Sequence, residues 1–334
     1  MDSVATLTPA QQEARTGLLA LGQERPVFDP ALATELGAFL EDGLAPHAAR
    51  LPAAPGAGGD GGPGSTAGGE LVVFKGMLGQ ILQCERWYLA QQGLGFAWST
   101  RTAVGTVAHK AIELAVFARR QPNPIEAVEQ AVDRITDAAE PWGPAAWLAG
   151  APEAELAELR GRASETVTRF FDCFPPLSRH WRPVLEARSR VDLCGGRVVL
   201  KGKVDLSLGR AQGTEARVLL VDFKTGAPHR GHVDDLRYYA LLETVRSGVP
   251  PFRVATYYLD AARWHHEDVT PELLTSAARR VVEGVARVVG LTVEGRPPTL
   301  SPGPVCEFCP ERADCEGARS WAAQRAARGL EPVA

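Results

Sequence analysis

No stretch of this chain approaches the ~20 consecutive apolar residues that a membrane-crossing helix needs, so no membrane role is expected. The start, Met1-Asp2-Ser3-Val4-Ala5, has no basic segment followed by an apolar one, so no secretory leader is expected and a cytoplasmic location is. Nothing has the form Gly-x4-Gly-Lys-Ser/Thr, which excludes unwinding driven by a P-loop of this chain's own. There is no excess of positive charge either: 36 Lys and Arg stand against 40 Asp and Glu, a net of −4. The chain as a whole therefore does not attract nucleic acid, and any such contact must come from a local patch. Cysteine is sparse, with six residues, and in a cytosolic chain these are metal ligands or free thiols rather than disulfides.

What is present, over 334 residues, is enough chain for one large domain or two modest ones. Residues 1–50 carry helical periodicity around Pro9–Leu21 and Pro30–Leu44, with Thr8 and Asp29 as N-caps, and read as a small helical N-terminal region. Residues 51–69 are almost entirely Ala, Pro and Gly and form an expected flexible linker. The main folded domain is expected over 70–334. Within it, Arg101–Leu114 reads as a helix with His109 and Glu113 one turn apart on one face. Gln121–Phe174 is mostly helical, broken near Trp142 and Trp147. Strands follow at Trp181–Val191, Phe252–Leu259 and, at an edge, Trp264–Val269, and Thr270 caps a long helix running to about Val289.

The chemistry concentrates in Leu200–Tyr239. Leu200–Leu206 and Val218–Gly226 are apolar β-type runs joined by a glycine-containing turn, which predicts a hairpin. Asp222 and Lys224, two apart, share one face of the second strand, with Phe223 on the other. By themselves they could be a satisfied ion pair at a strand end. Asp205 ends the neighbouring run, where the hairpin can bring its carboxylate beside that of Asp222. Two converging carboxylates with one lysine repel each other, and a hard divalent cation, Mg²⁺ or Mn²⁺, relieves this. Glu186, in the preceding strand, could support such a site or pair with Arg188 or Arg197 on a solvated face. Arg188, Arg190, Arg197, Lys201 and Lys203 gather positive charge on these strands, a candidate phosphate-facing patch.

Three cysteines, Cys306, Cys309 and Cys315, crowd into ten residues with the spacing Cys-x2-Cys-x5-Cys, while Cys84, Cys173 and Cys194 are scattered. Three close thiolates with a remote fourth suit either a [4Fe–4S] cluster or structural zinc.

The motifs Gly202-x-Val204-Asp205, Val221-Asp222-Phe223-Lys224-Thr225-Gly226 and Leu236-x-x-Tyr239-Ala240 resemble the PD-(D/E)XK nuclease superfamily, in particular its RecB-like branch. That branch includes CRISPR-associated RecB-like exonucleases and the nuclease domains of AddAB-type helicase-nucleases. The resemblance implies an α/β fold with a restriction-endonuclease-like core, a mixed central sheet flanked by helices, with a helical insertion and an iron-sulfur-stapled C-terminus. It implies that His109, Asp205, Asp222 and the Phe223 carbonyl hold Mg²⁺ or Mn²⁺, that Lys224 assists a water, and that Tyr239 lines the site. It implies that Cys84, Cys306, Cys309 and Cys315 hold a [4Fe–4S] cluster rather than zinc. The implied activity is a DNA exonuclease acting on single strands or ends in repair, recombination or defence, partnered by a separate helicase or by CRISPR or repair proteins. The alternative is a weak or inactive nuclease-like module that binds DNA or a helicase. Asp235 departs from the pattern by standing where the branch has glutamine, with Arg237 nearby as a compensating donor.

Overall fold

Six strands form one mixed sheet: β1 (Leu71–Val73), β2 (Val184–Leu193), β3 (Val198–Leu208), β4 (Leu219–Lys224), β5 (Arg253–Tyr258) and β6 (Arg263–Asp268). They come from a computed structural model that describes residues 7–53, 69–118, 120–138, 140 and 143–329. Residues 54–68, most of the expected linker, and Trp142 lie outside the described residues. The order is β1-β3-β4-β5-β6, with β2 on the other edge of β3. The pairs β1–β3 and β4–β5 are parallel and the rest antiparallel, so the sheet is mixed as the resemblance implies.

The helices are α1 (Pro9–Leu19), α2 (Leu32–Ala48), α3 (Lys75–Gln83), α4 (Glu85–Gln91), α5 (Thr100–Phe117), α6 (Pro124–Ala138), α7 (Ala145–Gly150), α8 (Glu153–Cys173), α9 (Arg230–Ser247), α10 (Pro271–Thr292) and α11 (Glu316–Ala327). Two apolar clusters cover the two faces of the sheet. One gathers Leu40, Leu44, Met77, Ile81, Leu241 and Val285 from α2, α3, α9 and α10. The other gathers Leu18, Ile112, Val167, Phe170, Phe223 and Tyr257 from α1, α5, α8 and the strands. Along β4, Leu220 belongs to the first cluster while Leu219, Val221 and Phe223 belong to the second, the two-residue alternation of a strand buried on both sides. Asp222 and Lys224 thus share the face of Leu220.

The helices read as an N-terminal preface are built into this body. Leu36, Leu40 and Leu44 of α2 complete the first cluster and Ala14 and Leu18 of α1 the second, and Arg253 donates to the Gly17 carbonyl at 2.6 Å. Thr8 caps α1 as expected, but α2 starts at Leu32, because the Asp29 carboxylate accepts from Ala31 N at 2.8 Å and holds one more turn ahead of it.

The placement of the site depends on a fork in the sheet. β2 pairs along almost all of β3 on one edge, whereas on the other edge β1 takes only Val198–Leu200 and β4 only Leu206–Leu208. Residues 201–205 therefore face the fork with no strand beside them on that edge, where their backbone needs other partners. Tyrosines of α9 supply two of these: Tyr239 donates to the Lys203 carbonyl at 2.7 Å, and the Tyr238 hydroxyl lies 3.0 Å from the Lys201 carbonyl and 2.9 Å from that of Val73. Gly202 makes the approach possible, since a Cβ there would lie 2.8 Å from Leu242 and 3.2 Å from the Tyr239 ring. Across β2, Glu186 stands in register opposite Asp205 with a φ of 51°, a left-handed conformation that is strained in a strand and tends to mark functional positions.

Candidate active site

Four of the side chains singled out from sequence meet at the fork. The register that pairs Leu206 with Val221 sets Asp205 opposite Asp222, and Asp205 Oδ2 accepts from Phe223 N–H at 2.6 Å. His109 reaches in from α5, with Nδ1 3.4 Å from Asp205 Oδ1. It can do so because α5 lies against the end of β4: a Cβ on Gly105 would come within 2.9 Å of Thr225 Oγ1. Lys224 is ion-paired with Asp222, and the Phe223 ring backs the site edge-on to His109 at 6.2 Å.

The sequence did not single out Lys75, the first residue of α3, although it ends an apolar run. Its ammonium lies 3.2 Å from Asp222 Oδ1, 3.3 Å from Asp235 Oδ2 and 4.9 Å from the centre of the Tyr239 ring. Asp235 and Tyr239, one turn apart on α9, both face it. Tyr239 lines the site as implied, but its hydroxyl is committed to the Lys203 carbonyl.

Charge balance governs the groups. Burial opposes ionisation of His109, yet the Asp205 charge and hydrogen bond outweigh it and raise the imidazole pKa above its ordinary value. Asp205 is desolvated too, but His109, the Phe223 N–H and Lys224 bring its pKa below the usual carboxylate range. Burial pushes Asp235 up despite both lysines. Asp222 is only 2% exposed, and both its oxygens are engaged, Oδ1 by Lys75 at 3.2 Å and Oδ2 by the ion pair with Lys224. A nearly buried carboxylate beside a second carboxylate and an imidazole suits a hard cation. His109, Asp205, Asp222 and the Phe223 carbonyl thus fit the implied Mg²⁺ or Mn²⁺. Among the described residues no set of three or more His, Cys, Asp or Glu already stands in the arrangement of a metal site.

The site opens into a cleft of about 1370 Å³ whose wall includes Lys110, Arg188, Arg190, Lys201 and Lys203. Arg197 is a correction to the expected patch. It donates to the carbonyls of Ala48, Leu51 and Pro52 at the end of α2 and does not line the cleft. Glu186 lines the cleft paired with Lys203 rather than with an arginine, Glu113 is held by Lys110, and Arg237 forks onto Glu267.

At the far side of α3, Cys84 sits in the break before α4, facing the C-terminal loop. Cys84, Cys306 and Cys309 are buried and Cys315 half-buried, all four as free thiols. Burial raises the Cys309 thiol, and the charges of Cys84, Cys306 and Cys315 raise it further, so the four share one neighbourhood in which a cation would favour the thiolates. Glu85 fastens the same junction. At 3% exposure it accepts a fork from Arg296 at 2.9 and 2.8 Å and Thr299 N–H at 2.7 Å. Burial works to raise its pKa, but these bonds win and lower it. Its contribution is therefore complete above the unfolded carboxyl pKa of about 4.3 and is lost as pH falls through the lower folded value. Glu85→Gln is expected to cost about 3 kcal/mol in urea unfolding at pH 7, with the gap from wild type narrowing as the pH is lowered below 4. An equal gap at both pH values would show that the charge contributes nothing.

No curated protein matches the chain. Among solved structures, a candidate exonuclease from Eubacterium rectale is similar at 14% identity and a TM-score of 0.42, over 71% of this chain and 86% of that one. The protein SSO0001 is similar at 12% identity and a TM-score of 0.28, over 74% and 97%. The family model of the PD-(D/E)XK nuclease superfamily matches residues 77–316, well over half of the chain and spanning both acid-bearing strands and the late cysteines, and the chain belongs to that superfamily.

Proposed function

We propose that the chain is a Mg²⁺- or Mn²⁺-dependent DNA nuclease that degrades single strands from an end and carries a structural [4Fe–4S] cluster on Cys84, Cys306, Cys309 and Cys315. The observation that carries the reading is the convergence of the nearly buried Asp222 carboxylate with Asp205, His109 and Lys224. His109, Asp205, Asp222 and the Phe223 carbonyl would hold the ion. When bound, the ion polarises the scissile phosphate and lowers the pKa of a water. Lys224 is placed to hold or move a proton of the attacking water and to offset charge developing on the phosphate. The cleft-wall cations Lys110, Arg188, Lys201 and Lys203 would bind backbone phosphates flanking it. Preference for ends rests on the RecB-like motifs at Gly202–Asp205 and Leu236–Ala240. A helicase or CRISPR or repair complex as partner follows from the same likeness.

The test compares linear and circular single-stranded DNA, each with Mg²⁺, with Mn²⁺ and with EDTA. Degradation of the linear strand alone, abolished by EDTA, is the expected result. Equal nicking of the circle would make the enzyme an endonuclease, and tight DNA binding without cleavage under any metal would favour an inactive binding module.

A further inference from the structure

On the other side of Lys75 lies a second cleft, of about 790 Å³, and Lys75 lines both. We propose that this second cleft binds single-stranded DNA flanking the scissile phosphate, with Lys75 holding the backbone where the strand passes from one cleft to the other. The inference rests on the reading of the chain as a DNA nuclease. Lys75 is built for such a junction, because its ammonium touches Asp222 of the catalytic cleft and Asp235 of the second one.

The lining supplies what a single strand needs, cations for phosphates and aromatic faces for unpaired bases. Four cations (Lys75, Arg230, Arg237, Arg280) and two acids (Asp234, Asp235) line the cleft. Lys75 is held by Asp222 and Asp235, Arg237 by Glu267 and Arg280 by Asp234, but Arg230 is exposed and among the described residues has no ion-pair partner. Phe308 is 63% exposed on the cleft wall, a large apolar ring left in water. Trp87 also lines the cleft, and its indole Nε1, a donor only, is buried with nothing to donate to. Free bases can stack on such rings, whereas the bases of a duplex are already stacked on each other.

Arg230→Ala and Phe308→Ala test this in the full chain with two substrates. The p-nitrophenyl ester of thymidine 5′-phosphate fills only the scissile position, and both variants are expected to hydrolyse it at the wild-type rate. A fluorescent single-stranded oligothymidine reaches the second cleft, and its affinity is expected to fall roughly tenfold for Phe308→Ala. For Arg230→Ala the slope of log affinity against log salt should become shallower by about 0.7, the loss of one phosphate contact. Oligothymidine affinity and salt slope unchanged in both variants would overturn the inference while leaving wild-type cleavage, and with it the nuclease reading, intact. An equal loss of duplex affinity in Phe308→Ala would also overturn it. Failure of the wild type to cleave either substrate with Mg²⁺ or Mn²⁺ would instead overturn the nuclease reading.

Discussion

Asp222→Asn is expected to lower kcat/KM for DNA by on the order of 10³-fold or more while the chain still folds. The substitution keeps the shape of a side chain that is 2% exposed and removes only its charge. That charge is what the site assembles around: Lys75 at 3.2 Å, Lys224 beside the other oxygen, and Asp205 across the strand pair. Both lysines retain a path to water, at 29% and 20% exposure, so their loss of a partner should change unfolding stability by no more than about 2 kcal/mol. A cleavage time course and a denaturant melt on the same preparation check both halves. A variant cleaving within tenfold of wild type would show that the chemistry lies elsewhere.

The second large effect concerns the cysteines. Cys84→Ser is expected to abolish visible iron-sulfur absorbance and to lower stability by about 5 kcal/mol, since a centre joining Cys84 to Cys306 closes a loop of more than two hundred residues. In a chain of this size that is a fall in Tm on the order of 10 °C. Cys173→Ser is the control and should change neither, because Cys173 lies apart from the other four, next to Asp172 and Arg169. A colourless wild-type protein carrying stoichiometric zinc would keep the staple and replace its metal. A Cys84→Ser variant with unchanged melting would remove the staple altogether.

The parts of the site legible in the sequence are those fixed by short-range geometry. Strand alternation put Asp222 and Lys224 on one face, helical periodicity put His109 one turn from Glu113, and the antiparallel pairing of two consecutive strands, joined by the loop 209–218, put Asp205 beside Asp222. Each holds in the structure. Lys75 was not legible because it lies 147 residues from Asp222, and only the parallel pairing of β1 with β3 brings it there. Asp235 read as a lost amide donor, but in three dimensions it is the partner of that unforeseen lysine. The fork in the sheet was equally hidden, since the sequence of β3 does not show which of its residues lack a strand on one edge. Arg197 looked like a phosphate ligand because charge on a strand gives no sign that a helix end 149 residues earlier will claim it.

The most direct measurement is a calorimetric titration of Mn²⁺ into wild-type chain and Asp205→Asn in two buffers of different ionisation heat. Asp205 raises the His109 pKa, and an imidazolium has no lone pair to offer, so Mn²⁺ binding through the ring displaces whatever proton the raised pKa retains. One tight site that releases a proton in the wild type and is lost in Asp205→Asn is the predicted result. Equal Mn²⁺ binding by the two proteins, or none by the wild type, would contradict a cation held between Asp205, Asp222 and His109.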